Sequence, residues 1–333
     1  MVSESHLCPY GKEESLPKSN HNGLLSKTFL KPNAEVEPME RISAIIISPS
    51  CDNDCVFCRK FPPVNEVELK QQESLARENL DYHLKQGCTR LEISGGDPGE
   101  YRSIHNLVGE AKRKGMEFVQ LSTNGVRLAD PDLARQLAEA GLNAVRIPLY
   151  GSYAETHESV TRKKGSFEAA VQSLTNFVRL GLEVKVHCLV MQQNSRDLLN
   201  LFQLALRFAD WRRISFSVPC FINAPDQYYI PVKDLREHVL PLVYYGTIRQ
   251  TFVRFKEIPM CVFGFDYPWL EHSGPPRMGL QQPRFRSPIE DMPTYRLKKK
   301  FDMCCECRVE PKCDGFFVND VERYGTGDLK PIR

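Results

Sequence analysis

From Arg41 onward the chain alternates two rhythms. Short apolar runs rich in Ile, Val and Phe alternate with longer stretches whose apolar positions recur three and four residues apart. The pattern predicts a strand at SAIIISP, then a helix over VNEVELKQQESLARENLDYHLKQG that stops at Gly87. RLEIS reads as a strand and SIHNLVGEAKRKG as a helix ending at another glycine. EFVQLS is a strand, and PDLARQLAEAG a helix with Pro131 in its first turn. NAVRIPLY, EVKVHCLVM and RISFSVP are further strands, separated by helices at SFEAAVQSLTNFVRLG and DLLNLFQLALRFA. About six strand–helix units in succession demand a parallel sheet with helices outside it. In parallel sheets wound with helices, chemistry collects on the loops at the C-terminal ends of the strands.

The rhythm is absent at both ends. Residues 1–40 are polar and rich in Ser, Asn, Lys and Pro, which predicts an irregular, partly disordered arm. Past Pro241 the regularity fades. TFVRFKEIPMC reads as one more strand leading to Cys261, and the Pro- and Arg-rich stretch from Phe265 to about Pro293 reads as loop. Three parts are therefore expected: an arm at 1–40, a core at 41–240 and a small cysteine-rich domain at 241–333.

Composition narrows the class. The 333 residues are 41% hydrophobic, enough for a sizeable core. Their 44 basic and 42 acidic side chains give a net charge of +2, which by itself argues neither for nor against nucleic acid but speaks against a strongly electrostatic partner; no nucleic-acid partner is expected. No stretch approaches ~20 apolar residues, so no membrane span or membrane partner is expected. The first residues, MVSESHLCPYGKEES, lack the apolar core of a secretory signal. Twelve cysteines without such a signal point to metal or thiol chemistry in a reducing compartment, and a cytoplasmic location is expected.

The chemistry centres on CDNDCVFC. Cys51, Cys55 and Cys58 have a C-x3-C-x2-C spacing just after the first strand. Three thiolates on one tight loop can hold three corners of an iron–sulfur cube and leave one iron open. A zinc site would need a distant fourth ligand, and unrelated thiols are the third reading. Phe57 adds an aromatic edge at the rim. A second group, Cys304-x2-Cys307-x5-Cys313, has ligand-like spacing, and Cys261 is a plausible fourth member. Zinc remains its main alternative, because four thiolates satisfy that ion as well. Cys305 is the spare and could replace Cys304. Cys8 reads as a bystander, and Cys88 and Cys220 as core thiols.

The cysteine loop resembles the signature of the radical S-adenosylmethionine (radical SAM) superfamily, including the aromatic before the last cysteine. SGGDP (Ser94 to Pro98), STNG (Ser122 to Gly125) and THESVTRKKGSFEAA resemble that superfamily's later landmarks, in its order. The resemblance covers about residues 41–220. It implies a partial (β/α)6 barrel. It also implies a 4Fe-4S cluster on Cys51, Cys55 and Cys58 that binds S-adenosylmethionine (SAM) at its open iron. Reductive cleavage of SAM would give a 5′-deoxyadenosyl radical that abstracts a hydrogen atom from substrate. An electron donor such as flavodoxin or ferredoxin is implied too.

Site residues follow from the same resemblance. The backbone of Gly95 and Gly96 and the side chain of Asp97 would meet the SAM amino group. Ser122 and Asn124 would lie near its ribose and carboxylate, and Asn194 resembles a further position near SAM. Asn-Gly is a turn former by itself, so a plain turn is the alternative for the STNG stretch. Arg146 on the fourth strand faces either the barrel or solvent. One of His187 and Cys188 faces the interior, because neighbours on a strand alternate. His157 reads as structural. The C-terminal cysteines resemble a twitch domain, or part of the longer SPASM pattern, which would place another cysteine at Phe317. One auxiliary 4Fe-4S cluster is implied by this. CDGFF with GDLKPI after it resembles maturases of ribosomal peptides, while the same short architecture also serves enzymes acting on sugars, nucleosides and cofactor precursors. The substrate is therefore a peptide or a small molecule. A non-catalytic iron–sulfur or zinc protein that keeps the fold is the competing class.

Overall fold

The computed structural model describes residues 42–47, 50–58, 66–219, 226–271 and 298–333. The chain divides into a unit at Met1–Glu40 and a unit at Arg41–Arg333, and all described residues belong to the second. The expected arm, Cys8, Cys220 and most of the Pro- and Arg-rich stretch lie outside the described residues.

Eight strands form one sheet in sequence order, every neighbouring pair parallel: β1 (Ile42–Ile47), β2 (Arg90–Gly95), β3 (Phe118–Ser122), β4 (Ala144–Pro148), β5 (Glu183–Leu189), β6 (Ile214–Ser217), β7 (Arg254–Lys256) and β8 (Leu270–Glu271). The six strands of the strand–helix series are there, the further strand expected in TFVRFKEIPMC is β7, and the short β8 extends the sheet beyond it. Helices fill the crossovers: α1 (Glu66–Lys85), α2 (Ile104–Arg113), α3 (Pro131–Glu139), α4 (Ala154–Thr161), α5 (Ser166–Arg179), α6 (Leu198–Ala205) and α7 (Leu235–Arg249). Parallel neighbours need such crossovers, because no tight turn can reverse the chain between them.

Local chemistry explains the boundaries. Asp130 caps α3, its side chain accepting from the Asp132 N–H, and Pro131 occupies the first helical position, where no backbone donor is missed. The α7 helix runs through Pro241, where the sequence pattern had pointed to a loss of regularity. A proline inside a helix removes a backbone bond and costs about 3 kcal/mol. Burial of Leu235, Val239, Leu242 and Val243 offsets that cost. Position 240 lies inside this helix, and β7 beyond it pairs with β6 in the main sheet. The sheet thus crosses the boundary expected at 240.

The two faces of the sheet differ. Along β5, buried Val184, Val186 and Cys188 alternate with half-buried Glu183, Lys185, His187 and Leu189. The apolar set packs under the helices with Ile45, Ile93, Val119, Leu121, Val145, Phe216 and Phe255. The polar set faces the other way, into the concavity. Curvature is evident from charges that meet across it: Arg146 on β4 bonds Glu92 on β2 at 2.6 Å, and Lys256 on β7 feels the Glu92 charge.

The last segment adds a two-stranded antiparallel ribbon, β9 (Lys298–Lys299) with β10 (Phe316–Phe317), and a short helix α8 (Val318–Tyr324). Cys88 and Cys188 are buried core thiols.

Candidate active site

The cysteine loop leaves the C-terminal end of β1 and is pinned from outside. Asp54 N–H donates to the Thr161 carbonyl at 2.9 Å and Val56 N–H to that of Val160 at 3.0 Å, both at the end of α4. The loop closes on itself through Cys58 N–H to the Cys55 carbonyl at 3.0 Å. Val56 is buried with Tyr150, Val160 and Met191. Phe57 meets the Tyr150 ring edge-on at 5.4 Å, so its position at the rim is held by an aromatic contact. His157 stands behind Tyr150, its Nδ1 accepting from the Tyr150 N–H at 3.2 Å. Burial lowers the His157 pKa to about 4, which keeps it neutral and structural.

Cys51 and Cys58 are exposed and Cys55 is half-buried. Burial, followed by the neighbouring Cys51 and Cys58, pushes the Cys55 thiol up to about 12. Burial raises the thiols of Cys51 and Cys58 as well. Three clustered thiols resist losing their protons to water alone. A cationic iron cluster is the kind of partner that stabilises all three thiolates together. The donor set therefore fits an iron–sulfur cluster open on its solvent side.

Two more strand-end loops lock onto this one. Gly95 closes β2 at φ 146°, and a side chain there would strike the Ile47 carbonyl, its Cβ only 1.7 Å from the oxygen. Only glycine lets β2 pass β1 so closely. Gly96 follows, half-exposed. Asp97 is fully buried. Its N–H donates to the Ser50 carbonyl at 2.7 Å, beside the first cysteine. Its Oδ1 accepts from Thr123 Oγ1 at 2.5 Å and from the Asn124 N–H at 3.1 Å. Asn124 Nδ2 in turn donates to Cys51 Sγ at 3.4 Å. Asp97 is thus a hub joining three loops. Burial raises its pKa to about 6 against the downward pull of Thr123 and Asn124. Its second oxygen, Oδ2, is buried without a hydrogen bond of full geometry, the Gly99 amide being a weak neighbour. One more donor would satisfy it.

The other expected residues divide. Ser122 lies on the concave face, its hydroxyl donating to Glu92 Oε1 at 2.6 Å. Arg146 shares that same oxygen, which settles its direction as inward. Asn194 is fully buried, and its amide is already engaged: Oδ1 accepts from Met191 N–H, and Nδ2 donates to the Leu189 carbonyl, both at 2.8 Å. It shapes the turn after β5. His187 faces the concavity between Ser215 at 3.0 Å and Ser217 at 3.1 Å, while Cys188 points into the core. Thr123, Tyr150, Glu92 and Lys256 were not singled out from the sequence. For the last two the available signal was strand alternation, in RLEIS and RFK.

The second cysteine group also assembles. Cys261, Cys304, Cys307 and Cys313 line one pocket of about 330 Å³, mouth included, with Met260, Met303, Val309 and Phe316 as apolar walls. Arg236 holds the Cys261 turn, its Nη2 donating to the Cys261 carbonyl at 2.7 Å. Burial, then the charges of Cys313, Cys304 and Cys307, push the Cys261 thiol up to about 12. Four thiols around a shared cavity fit a cluster held at every corner. Among the described residues no three His, Cys, Asp or Glu converge on one point as ligands of a single ion would. Cys305 is exposed and is not part of the pocket lining. Phe317 is buried in β10.

Residues 45–205 match the Radical SAM superfamily. The Fe-coproporphyrin III synthase of Methanosarcina barkeri is 31% identical over 46% of this chain and 38% of its own length. The mycofactocin maturase MftC of Mycolicibacterium smegmatis is 32% identical over 50% of this chain and 42% of its own. The chain thus spans about two fifths of the length of these relatives, both of which are enzymes. Streptococcus suis SuiB bound to the precursor peptide SuiA has the same fold, at a TM-score of 0.54 and 15% identity over 88% of this chain and 75% of that one. No helix among the described residues is long and apolar enough to cross a membrane.

Proposed function

Because a radical SAM domain spans residues 45–205 of this chain, we propose that the protein is a tailoring enzyme that cleaves SAM reductively and takes a hydrogen atom from a biosynthetic substrate. The supporting observation is the closure of three strand-end loops into one rim through Asp97, Thr123, Asn124 and Cys51. The network brings the first cysteine, the GGD turn and the Asn124 amide onto one rim.

Cys51, Cys55 and Cys58 would hold the cluster. Bound there, it would supply the electron that splits SAM into methionine and a 5′-deoxyadenosyl radical. Gly95 and Gly96 offer backbone carbonyls to the SAM amino group. Asp97, with Oδ1 committed, fixes the two neighbouring loops and keeps Oδ2 for one further donor. Asn124 and Ser122 present polar groups on the facing side. Asn194 supports the site through its turn. The aromatic pair Phe57–Tyr150 closes the rim against water.

The C-terminal thiols would hold a second 4Fe-4S cluster. Four protein ligands leave it no open iron, which suits electron transfer, for example accepting an electron from a substrate radical. A flavodoxin or ferredoxin would reduce the first cluster. The substrate is a ribosomal peptide or a small biosynthetic molecule. The maturase relative and the peptide-bound structure support the peptide, and the synthase relative the small molecule.

The test is anaerobic reconstitution with iron and sulfide, reduction, and chromatography for 5′-deoxyadenosine. The expected result is about eight irons per chain and 5′-deoxyadenosine formed from SAM. A reconstituted protein with a bound cluster but no 5′-deoxyadenosine would overturn the reading.

A further inference from the structure

Both polar atoms of the Asn124 side chain are engaged, and their partners fix which way the amide points. Oδ1 accepts from the Val126 N–H at 2.8 Å, two residues on, closing the turn that Asn-Gly favours. An oxygen held there leaves the nitrogen to face the other way, and Nδ2 donates to Cys51 Sγ at 3.4 Å. The two ends of an amide are told apart by their partners, and here a backbone donor settles them. The Asn124 N–H donates in turn to Asp97 Oδ1 at 3.1 Å.

This places Asn124 between a carboxylate and a sulfur, its backbone on the first and its amide on the second. Asp97 is fully buried, and its charge opposes added negative charge on Cys51. The Asn124 amide works against that field, and the Asn53 backbone meets the same sulfur in the same sense. The amide is also held in place from behind. Asp97 Oδ1 binds the Thr123 hydroxyl as well, and the Asp97 N–H reaches the Ser50 carbonyl, next to Cys51 in the chain. Donor and sulfur are therefore carried by braced loops, and the donor needs no reorganisation when charge on the sulfur rises.

An iron–sulfur cluster gains negative charge when it is reduced, and hydrogen bonds to its ligand sulfurs are among the levers that set its potential. Resting on the cluster assigned above to Cys51, Cys55 and Cys58, we infer that Asn124 is a positioning residue that sets this cluster's reduction potential, its amide on Cys51 Sγ stabilising the reduced state more than the oxidised one. The step is the entry of one electron from a low-potential one-electron donor. No bond forms or breaks, and no proton is taken up. The consequence is two-sided. The hydrogen bond eases entry of the electron and leaves the reduced cluster a weaker reductant toward SAM. Asn124 thus balances loading the cluster against discharging it.

The test is a potentiometric titration of the anaerobically reconstituted full chain with dithionite and mediator dyes, without SAM, read by electron paramagnetic resonance. The signal missing from the Cys51/Cys55/Cys58 triple Ala variant belongs to the loop cluster. Asn124→Ser keeps a hydroxyl that accepts from Val126 but is too short to reach Cys51. It should lower the midpoint of that signal by about 59 mV, a tenfold loss in the one-electron reduction equilibrium. Asn124→Asp keeps the acceptor and the length, puts charge where the donor was, and should lower the midpoint further. Iron and sulfide are counted on the same samples. A midpoint unchanged or raised in a variant that keeps its iron would overturn the assignment. Loss of the loop cluster from both variants would give Asn124 a structural role and overturn it too. 5′-deoxyadenosine is scored separately on samples given SAM. A lowered midpoint in the variants with no 5′-deoxyadenosine from wild type would break the radical SAM reading alone. Cleavage by wild type with an unshifted midpoint in the variants would break only this one.

Discussion

The two cysteine groups are built on opposite plans. The loop thiols sit on a polar rim, with Cys51 and Cys58 exposed and an amide from Asn124 on Cys51. The C-terminal thiols surround a pocket with methionine, valine and phenylalanine walls, and Cys261 is buried. One arrangement leaves a face open to a ligand, and the other encloses its contents. In an iron–sulfur protein that difference separates chemistry from electron storage, because an open iron binds substrates and an enclosed one exchanges electrons. Neither plan follows from the count of thiols. It follows from what the chain places around them.

Reciprocal substitutions test the comparison most severely. Replacing Cys51, Cys55 and Cys58 by Ala together should abolish 5′-deoxyadenosine formation and halve the iron. Replacing Cys307 and Cys313 by Ala should also halve the iron, yet leave SAM cleavage within about tenfold of wild type. Iron content and product are measured on the same anaerobic samples. Loss of cleavage in both variants would mean that the two groups are one functional unit. Full iron in the second variant would remove the auxiliary cluster.

Much of this was legible in the sequence, for a physical reason. Strand–helix alternation sets a parallel sheet, and a parallel sheet places every strand-end loop at one end. CDNDCVFC, GGDP and STNG each follow a predicted strand, so their meeting follows from topology. Side-chain commitments were not legible. Asp97 looks like a ligand residue in the sequence. In the fold its Oδ1 is a hub for Thr123 and Asn124, because GGD and STNG end adjacent strands. Asn194 likewise spends its amide on its own turn. The helix through Pro241 was hidden because a local breaker was outweighed by tertiary burial.

The hub offers a graded test of the open site. Asp97→Ala strands the Thr123 hydroxyl and the Asn124 amide, and should weaken SAM binding about tenfold by loosening both loops. Asp97→Asn keeps an acceptor at Oδ1 and should recover most of that loss. Affinity is read by titration with SAM on the reconstituted protein. Unchanged affinity in Asp97→Ala would show that the braced loops do not form the SAM site. Equal loss in both variants would assign Asp97 a charge-dependent contact instead of a bracing one.

The C-terminal segment has a buried carboxylate of its own. Asp320 on α8 is buried and accepts from the Val232 N–H at 3.0 Å, tying the C-terminal helix to the segment before α7. Burial raises its pKa to about 6, above the 3.8 of an unperturbed aspartate. Between those values the folded protein binds more protons than the unfolded chain. Stability from this residue is therefore present below about pH 4 and is lost as pH rises through 6, by about 3 kcal/mol. Asp97 has the same sign, so the two regions are separated only by substitution. Asp320→Asn keeps an acceptor for Val232 and cannot ionise, so the variant should gain stability relative to wild type between pH 4 and pH 7. Denaturant titration at the two pH values measures that gain. A difference between variant and wild type that does not change with pH would mean that Asp320 does not carry the burial its position implies.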